Sequence, residues 1–567
     1  MSQPAVMQAP VIPSTTTRKG HPKGLYVLFT AEMWERFNFY GNRALLTLFL
    51  VNALRFTQED SSIIYGGFLG MGWLTAILGG FIADRYLGNR NCIIVGGLTM
   101  SVGQLCMFSS AILYASDVNL ARMVMWTALG ISILGNGFFK PNISAMVGQL
   151  YPKGDNRLDS AFTIFYMGIN LGSTLGNFIC PWLGDVKHTV GTTEVRDITA
   201  FKWGFLAASI AMLLGTVLFY FLKNKYVVGP TGTPVGTKPK KDAVVEGEAA
   251  HAQFSKKAVT IAVIALLALI SCFHWLGGVN FLYSFIYSTG IALAGLILSD
   301  KSLTSVERQR IMVIYVVSFF VIFFWACFEQ AGSSLTFVAD QQTDRHLFGW
   351  NIPPSSIQNA QAITLIALAL PFSWLWMKLR KRNMDPISPV KQAMGLFLLA
   401  AGYYIIATQV KDLGNAKMGV IWFFVLYTFH TLGELSVSPI GLSLVSKLAP
   451  HRFTSLLMGV FFLSNASGYA LAGTLGTLLP PTGEKFEIAA KNNIDLQGIL
   501  NGTVAVTSQL KTQLLNLQLP SAYPQFAGFT IHNLYEFFML FAILPGVAAI
   551  LLFLLSGLLK KWMNGVR

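Results

Sequence analysis

Stretches of mostly apolar residues approaching or reaching a length of about 20 recur along the whole chain, as at 311–328, 362–377 and 537–559, and short charged loops separate them. A helix of roughly 20 apolar residues crosses the hydrocarbon core of a bilayer. Of the 567 residues, 53% are hydrophobic and 12% charged, against about a quarter charged in ordinary soluble domains. Lipid is therefore the solvent this chain requires, and the expected fold is an all-α polytopic membrane protein. The net charge of +15 does not point to nucleic acid, because the 41 Lys and Arg residues are strung through the loops and not gathered on one domain.

Threaded through about fourteen spans, most of these bases fall on one side, together with Arg18, Lys19 and Lys23 before the first span and Lys560, Lys561 and Arg567 after the last. The positive-inside rule then places both termini in the cytoplasm and makes the number of spans even. Residues 1–24 are polar and lack the order of a cleaved signal, so they read as a disordered cytoplasmic tail of an inner-membrane protein. The five cysteines lie in or beside apolar segments with no ligand-like spacing, which fits packing residues and implies no metal site.

Six spans are expected near 26–53, 60–82, 91–114, 120–145, 159–183 and 200–222, making a first bundle over 25–222. The polar stretch 223–257, with its Gly, Pro and Lys run, reads as a flexible cytoplasmic linker. A hairpin of two apolar segments occupies 258–298, and six further spans near 309–335, 357–378, 392–410, 416–446, 453–479 and 532–559 make a second bundle over 299–567. Two six-helix halves related by an axis along the membrane normal suit this pattern. The loop Gly79-Gly-Phe-Ile-Ala-Asp-Arg-Tyr-Leu-Gly-Asn-Arg90 is similar to the cytoplasmic loop motif of the major facilitator superfamily, and Lys378-Leu-Arg-Lys-Arg382 takes the equivalent place in the second half. The long polar loop 480–530 falls outside on this topology, either packed as a cap or loosely ordered.

Seven ionisable residues sit deep within spans: Glu32, Glu35, Arg36, Arg43, Lys140, Glu329 and Glu434. Each costs roughly 2.5–3.5 kcal/mol on insertion scales, so they should face a polar cavity and one another. Glu32, Arg36, Phe39, Tyr40 and Arg43 advance mostly by three or four and share one helical stripe, with Glu35 beside it. The alternative is a buried ion network that only fixes helix packing. Lys140 precedes Pro141, and Asn170 lies in a glycine-flanked run. The acids occur in both halves and the bases only in the first. Arg43 and Lys140 can therefore hold a carboxylate, the guanidinium as a bidentate fork and the ammonium as a point charge, while Glu434 holds an amine. A zwitterion fits such a site.

With these residues assembled, the chain closely resembles the proton-coupled oligopeptide transporter family, the peptide branch of the major facilitator superfamily. The likeness rests on Glu32-Met-Trp-Glu-Arg-Phe-Asn-Phe-Tyr-Gly41, Gly137-Phe-Phe-Lys-Pro-Asn-Ile-Ser144, Phe165-Tyr-Met-Gly-Ile-Asn-Leu-Gly172, Phe328-Glu-Gln-Ala-Gly-Ser333 and Gly433-Glu434 before Ser438-Pro439. It implies the superfamily fold with an inserted two-helix hairpin, as in bacterial members, and symport of di- and tripeptides with protons. It further implies that Glu32, Glu35, Arg36 and Glu329 serve proton coupling, that Arg43 and Lys140 receive the peptide carboxylate, and that Asn170 and Glu434 hold the amine. Glu329 is expected to bridge Arg43 or Lys140 as the outer side closes. Phe39, Tyr40, Trp73, Tyr166, Trp325, Gln361, Phe461, Ser464 and Asn465 are expected to line the pocket. Phe39 stands where the family signature has tyrosine, and Gln361 where many members have asparagine. No cofactor is expected beyond the proton gradient, and the partners are peptides, protons and lipid.

The nearest rival is a nitrate or other small-anion carrier on the same fold, for which Glu434 has no use. An intramembrane enzyme needs a nucleophile with its base or a metal pair, yet His430 is the only histidine well inside a span and no HExxH motif occurs. A passive channel would arrange its charges as rings.

Overall fold

The computed structural model describes residues 20–152, 155, 157–190, 193–238, 254–411, 413, 416–450 and 453–566. The first bundle comprises α1 (Lys23–Asn52), α2 (Gln58–Ile82), α3 (Asn89–Leu113), α4 (Val118–Gln149), α5 (Leu158–Gly184) and α6 (Phe201–Tyr226). A hairpin, α7 (Lys256–Ser271) and α8 (Phe281–Leu298), precedes α9 (Ser305–Phe328) and the short α10 (Ser334–Gln341). The second bundle continues with α11 (Asn359–Lys381), α12 (Ser388–Val410), α13 (Ile421–Leu448) and α14 (Thr454–Gly476). Three short helices, α15 (Gly483–Lys491), α16 (Leu496–Leu500) and α17 (Ser508–Asn516), lead to α18 (Leu534–Trp562). Polar side chains start many of these helices by accepting from otherwise unpaired backbone N–H groups: Thr57 for α2, Asp117 for α4 and Asn533 for α18. Thr304 and Glu307 form a reciprocal capping box on α9.

Among the described residues eleven helical segments are long and apolar enough to cross a membrane. Helices α1, α5 and α13 are of spanning length at 30, 27 and 28 residues, but carry the polar residues of the interior. The chain thus crosses about fourteen times. The end at which it enters and leaves is called here the near end, and the opposite one the far end. Apolar side chains left exposed on the periphery, such as Phe221, Leu370 and Leu554, face the lipid that their helices require.

Glycines set how closely the spans approach. A Cβ on Gly79 would collide with the Gly137 carbonyl, the group that Pro141 leaves without its helical donor. The α7–α8 hairpin is peripheral. Helix α7 has no buried residue, whereas α8 buries Tyr283 and Ile286 against α2 and α14. The Tyr283 hydroxyl donates to the Ile63 carbonyl at 2.7 Å, which ties the insertion to the seam between the halves.

The described first part of the expected linker, 223–238, is more structured than its composition implies. Residues 223–226 complete α6, and Val228 pairs with Pro234 across a small turn. Arg90 then pins this turn, donating to the carbonyls of Lys223, Val227 and Val235 and to the Asn224 side chain. A basic fork that collects the last carbonyls of α6 satisfies groups a helix end leaves free. The remainder of the expected linker, 239–253, and most of the expected tail, 1–19, lie outside the described residues. Of the two possibilities for 480–530, the packed one holds: Ala489, Leu496, Ile499, Leu500, Leu514 and Leu519 form a separate small core, and Thr482 donates to Gln341 at 3.0 Å.

Candidate functional site

The stripe on α1 faces the centre of the molecule. Arg36 is buried between two glutamates, bonded to Glu35 through both carboxylate oxygens and 3.3 Å from Glu32. Its guanidinium also lies 5.1 Å from the centre of the Phe39 ring. Two turns on, Arg43 reaches the second half. Its Nη2 lies 2.8 Å from Glu329 Oε2 in an ionic contact, and its Nε donates to the Tyr65 hydroxyl at 2.7 Å. That hydroxyl donates in turn to Glu329 at 3.1 Å. Glu329 occupies the first residue of a 3-10 turn, Glu329–Gly332, that interrupts α9 and α10. Thr47 donates to the carbonyl of Gly332, and Ser333 to Ser62, so α1 and α2 grip this broken segment. Gly332 is required there, because a Cβ would run into the Tyr65 ring.

These side chains bound a central cavity of about 250 Å³. Fifteen of the seventeen expected site residues line it: Glu32, Arg36, Phe39, Tyr40, Arg43, Trp73, Lys140, Tyr166, Asn170, Trp325, Glu329, Gln361, Glu434, Phe461 and Asn465. Two do not. Glu35 is wholly buried behind Arg36. Ser464 turns back to donate to the Phe461 carbonyl at 2.6 Å, the local bond that helical serines favour over a distant partner. Of the two bridges expected for Glu329, the one to Arg43 is formed. Among the described residues no carboxylate lies within 4.0 Å of the Lys140 ammonium, which sits 3.9 Å from the centre of the Trp73 ring. Glu434 likewise has no cation that close, and accepts from Gln361 at 3.2 Å.

A second set of charges closes the far end. The hairpin β1 (Lys187–Val190) and β2 (Thr193–Arg196) follows α5, and the segment after α10 folds over it. Arg196 forks onto Asp340 with both bonds at 3.0 Å, and also bridges Asp185 at 2.9 Å. Lys187 reaches Asp340 at 2.6 Å, and Arg345 pairs with Glu194. Asp185 further accepts from the backbone and hydroxyl of Ser355. Residues 185–196 belong to one half and 340–355 to the other, so this lattice spans the halves outside the Arg43–Glu329 pair.

A family model described as PTR2, POT family, matches residues 90–492. The chain belongs to the POT family. Over 487 residues it is 32% identical to the peptide transporter YePEPT of Yersinia enterocolitica, an alignment covering 82% of this chain and 89% of that protein. It is 27% identical over 520 residues to dipeptide and tripeptide permease B of Aliivibrio fischeri, covering 89% and 96%. A crystal structure of a POT family transporter in complex with a thioalcohol-conjugated peptide superposes with a TM-score of 0.70 at 25% identity, over 97% of this chain and 99% of that one.

This POT family chain also uses residues that its sequence did not single out. Tyr65 and Leu69 precede the expected Trp73 at four-residue intervals along α2, a spacing that puts all three on one stripe, with Leu69 on the cavity beside Trp73 and Tyr65 on the Arg43–Glu329 pair. That signal was present. Tyr469, Phe462, Asn177 and Gln358 are among the other residues that line the cavity, and no periodicity marks them among many similar neighbours. The far-end lattice was illegible, since its members look like ordinary loop charges.

Proposed function

We propose that this chain is a proton-coupled symporter that imports di- and tripeptides by alternating access, driven by the proton gradient and using no bound cofactor. One observation carries the reading. Among the described residues, the cavity leaves Lys140 in one half and Glu434 in the other without an ion-pair partner, while Arg36 and Arg43 are already matched by glutamates. Such a pair of opposite charges complements a zwitterion, and an α-amino carboxylate chain two or three residues long presents that charge pattern. The names of the bacterial relatives and the peptide held in the solved relative support this choice of zwitterion.

Lys140 with Arg43 takes the carboxylate, and Glu434 with Asn170 takes the amine, Gln361 yielding its place on Glu434. The near end, where basic residues concentrate, faces the cytoplasm and the far end faces outside, in a cytoplasmic membrane with both termini inside. Closure of one end while the other opens requires contacts made in only one state. Arg43–Glu329–Tyr65 is such a contact: protonation of Glu329 removes its charge, and a carboxylate arriving at Arg43 competes for the same guanidinium.

Purified protein in liposomes is expected to accumulate a labelled dipeptide when an inward proton gradient is imposed, and to stop when the gradient is collapsed. Accumulation of nitrate in place of peptide overturns the assignment. Blocking either terminus, by N-acetylation or C-terminal amidation, should weaken competition by well over tenfold, because it leaves a buried charge without its partner. Equal competition by blocked and free dipeptides would show that the two poles are wrongly assigned. Glu35→Gln is expected to abolish gradient-driven accumulation while leaving peptide counterflow, since exchange needs no return of the empty carrier. Loss of both activities in folded protein would mean that Glu35 serves only to pack Arg36.

A further inference from the structure

Lys140 is a half-buried basic group on the wall of the central cavity, and its contact there is an aromatic face. Its Nζ lies 3.9 Å from the centre of the Trp73 ring, well within the range at which a ring quadrupole attracts a cation. The ring is itself fixed. It stacks on Phe462 at 5.4 Å and meets Tyr469 edge-on at 6.2 Å, both from α14 in the other half. Helices α2 and α4 are drawn together by Gly137, where a Cβ would lie 2.8 Å from Thr75, and by the Thr75 hydroxyl donating to the Ile133 carbonyl at 3.0 Å. Lys140 is therefore carried to the indole by backbone packing and does not find it by chance.

A rival position for the ammonium exists nearby. Glu32 lines the same cavity, and its Oε2 is buried without a hydrogen-bond partner. A lysine on a flexible four-carbon stem that collapsed onto that oxygen would no longer be free to meet a substrate. We infer that Trp73 is a positioning residue for Lys140: its ring face holds the ammonium away from Glu32 and presents it to the carboxylate end of the substrate. An ammonium seated on a ring keeps its other N–H directions open, so the carboxylate adds to the contact and need not replace it. The inference rests on the peptide reading above and gives the carboxylate pole a residue from outside the set of charges.

The test is a double-mutant cycle on purified protein, reading dipeptide affinity by competition. Trp73→Leu is expected to weaken a free dipeptide about tenfold, as loss of a partly desolvated cation–π contact implies. The same change made in Lys140→Gln should cost less than twofold. Trp73→Phe should fall between. Site-specific fluorinated tryptophans keep the shape of the ring but drain its negative face, and affinity should fall stepwise with each fluorine. Additive losses in the cycle, or affinity indifferent to fluorination, would overturn the inference and assign Trp73 to packing alone. Failure of the unsubstituted protein to bind any dipeptide would instead defeat the peptide reading itself, so the two failures are distinguishable.

Discussion

Glu329→Gln is expected to lower gradient-driven uptake at least tenfold while the protein remains folded and inserted. The Glu329 carboxylate is the only ion-pair partner found within 4.0 Å of Arg43 among the described residues, and both side chains are nearly completely buried. Removing one member of a buried pair costs roughly 3–5 kcal/mol, because the other charge is left without compensation. Here the cost falls on the far-end-closed state, in which the two halves meet at this point. Tyr65 cannot replace the lost charge, since its hydroxyl accepts from Arg43 only as a neutral dipole. The equilibrium should therefore shift toward far-end opening. Paired cysteines placed at the far ends of α1 and α9 report this directly: their cross-linking yield should drop in Glu329→Gln and on adding peptide. An unchanged yield under both conditions would reduce Glu329 to a packing residue.

Asp340→Asn should have an effect of similar size by a separate route. Asp340 receives both nitrogens of the Arg196 fork and the Lys187 ammonium, so neutralising it leaves two cations facing an amide across the seam between halves. Bidentate guanidinium–carboxylate pairs are among the stronger charge-assisted links, and Arg196 is almost wholly buried here. The expected result is a faster-opening far end with lowered uptake, and with dipeptide affinity unchanged because no lattice residue lines the cavity. The reverse pattern, lost affinity with intact cross-linking, would sink the idea that the lattice bears on closure.

Acid should not loosen this lattice in the range where uptake is driven. Burial alone would raise the Glu194 carboxyl, but Arg345, Asn351 and Lys187 outweigh it and hold Glu194 below the ordinary carboxylate range. A group with a depressed value in the closed state stabilises that state fully above its unperturbed value, about 4.3 for glutamate, and ceases to do so as the pH falls through the depressed one. Glu194 thus stays charged at pH 6–7. A change in closure across that interval, read by the same cysteine pairs, should survive Glu194→Gln unaltered.

Much of this protein was determined by its sequence alone, and the reason is the locality of the signals. Runs of apolar residues fix the spans within a few residues of where they lie, because each helix must satisfy its own backbone in lipid. The stripe from Glu32 to Arg43 is legible for the same reason, since helical periodicity places its members on one face whatever surrounds them. The cost of burying charge then makes each intramembrane ionisable residue conspicuous, and six of the seven line the cavity. What tertiary structure decided is which charges meet. Tyr65 and Glu329 stand 264 positions apart, and Arg196 and Asp340 144 apart, so nothing local records their contact. The sequence left Glu329 two possible partners, and the closed far end chose Arg43. Lys140 was thereby left to an aromatic ring on α2, and it is the packing of α2 against α4 and α14, not any motif, that placed the ring there.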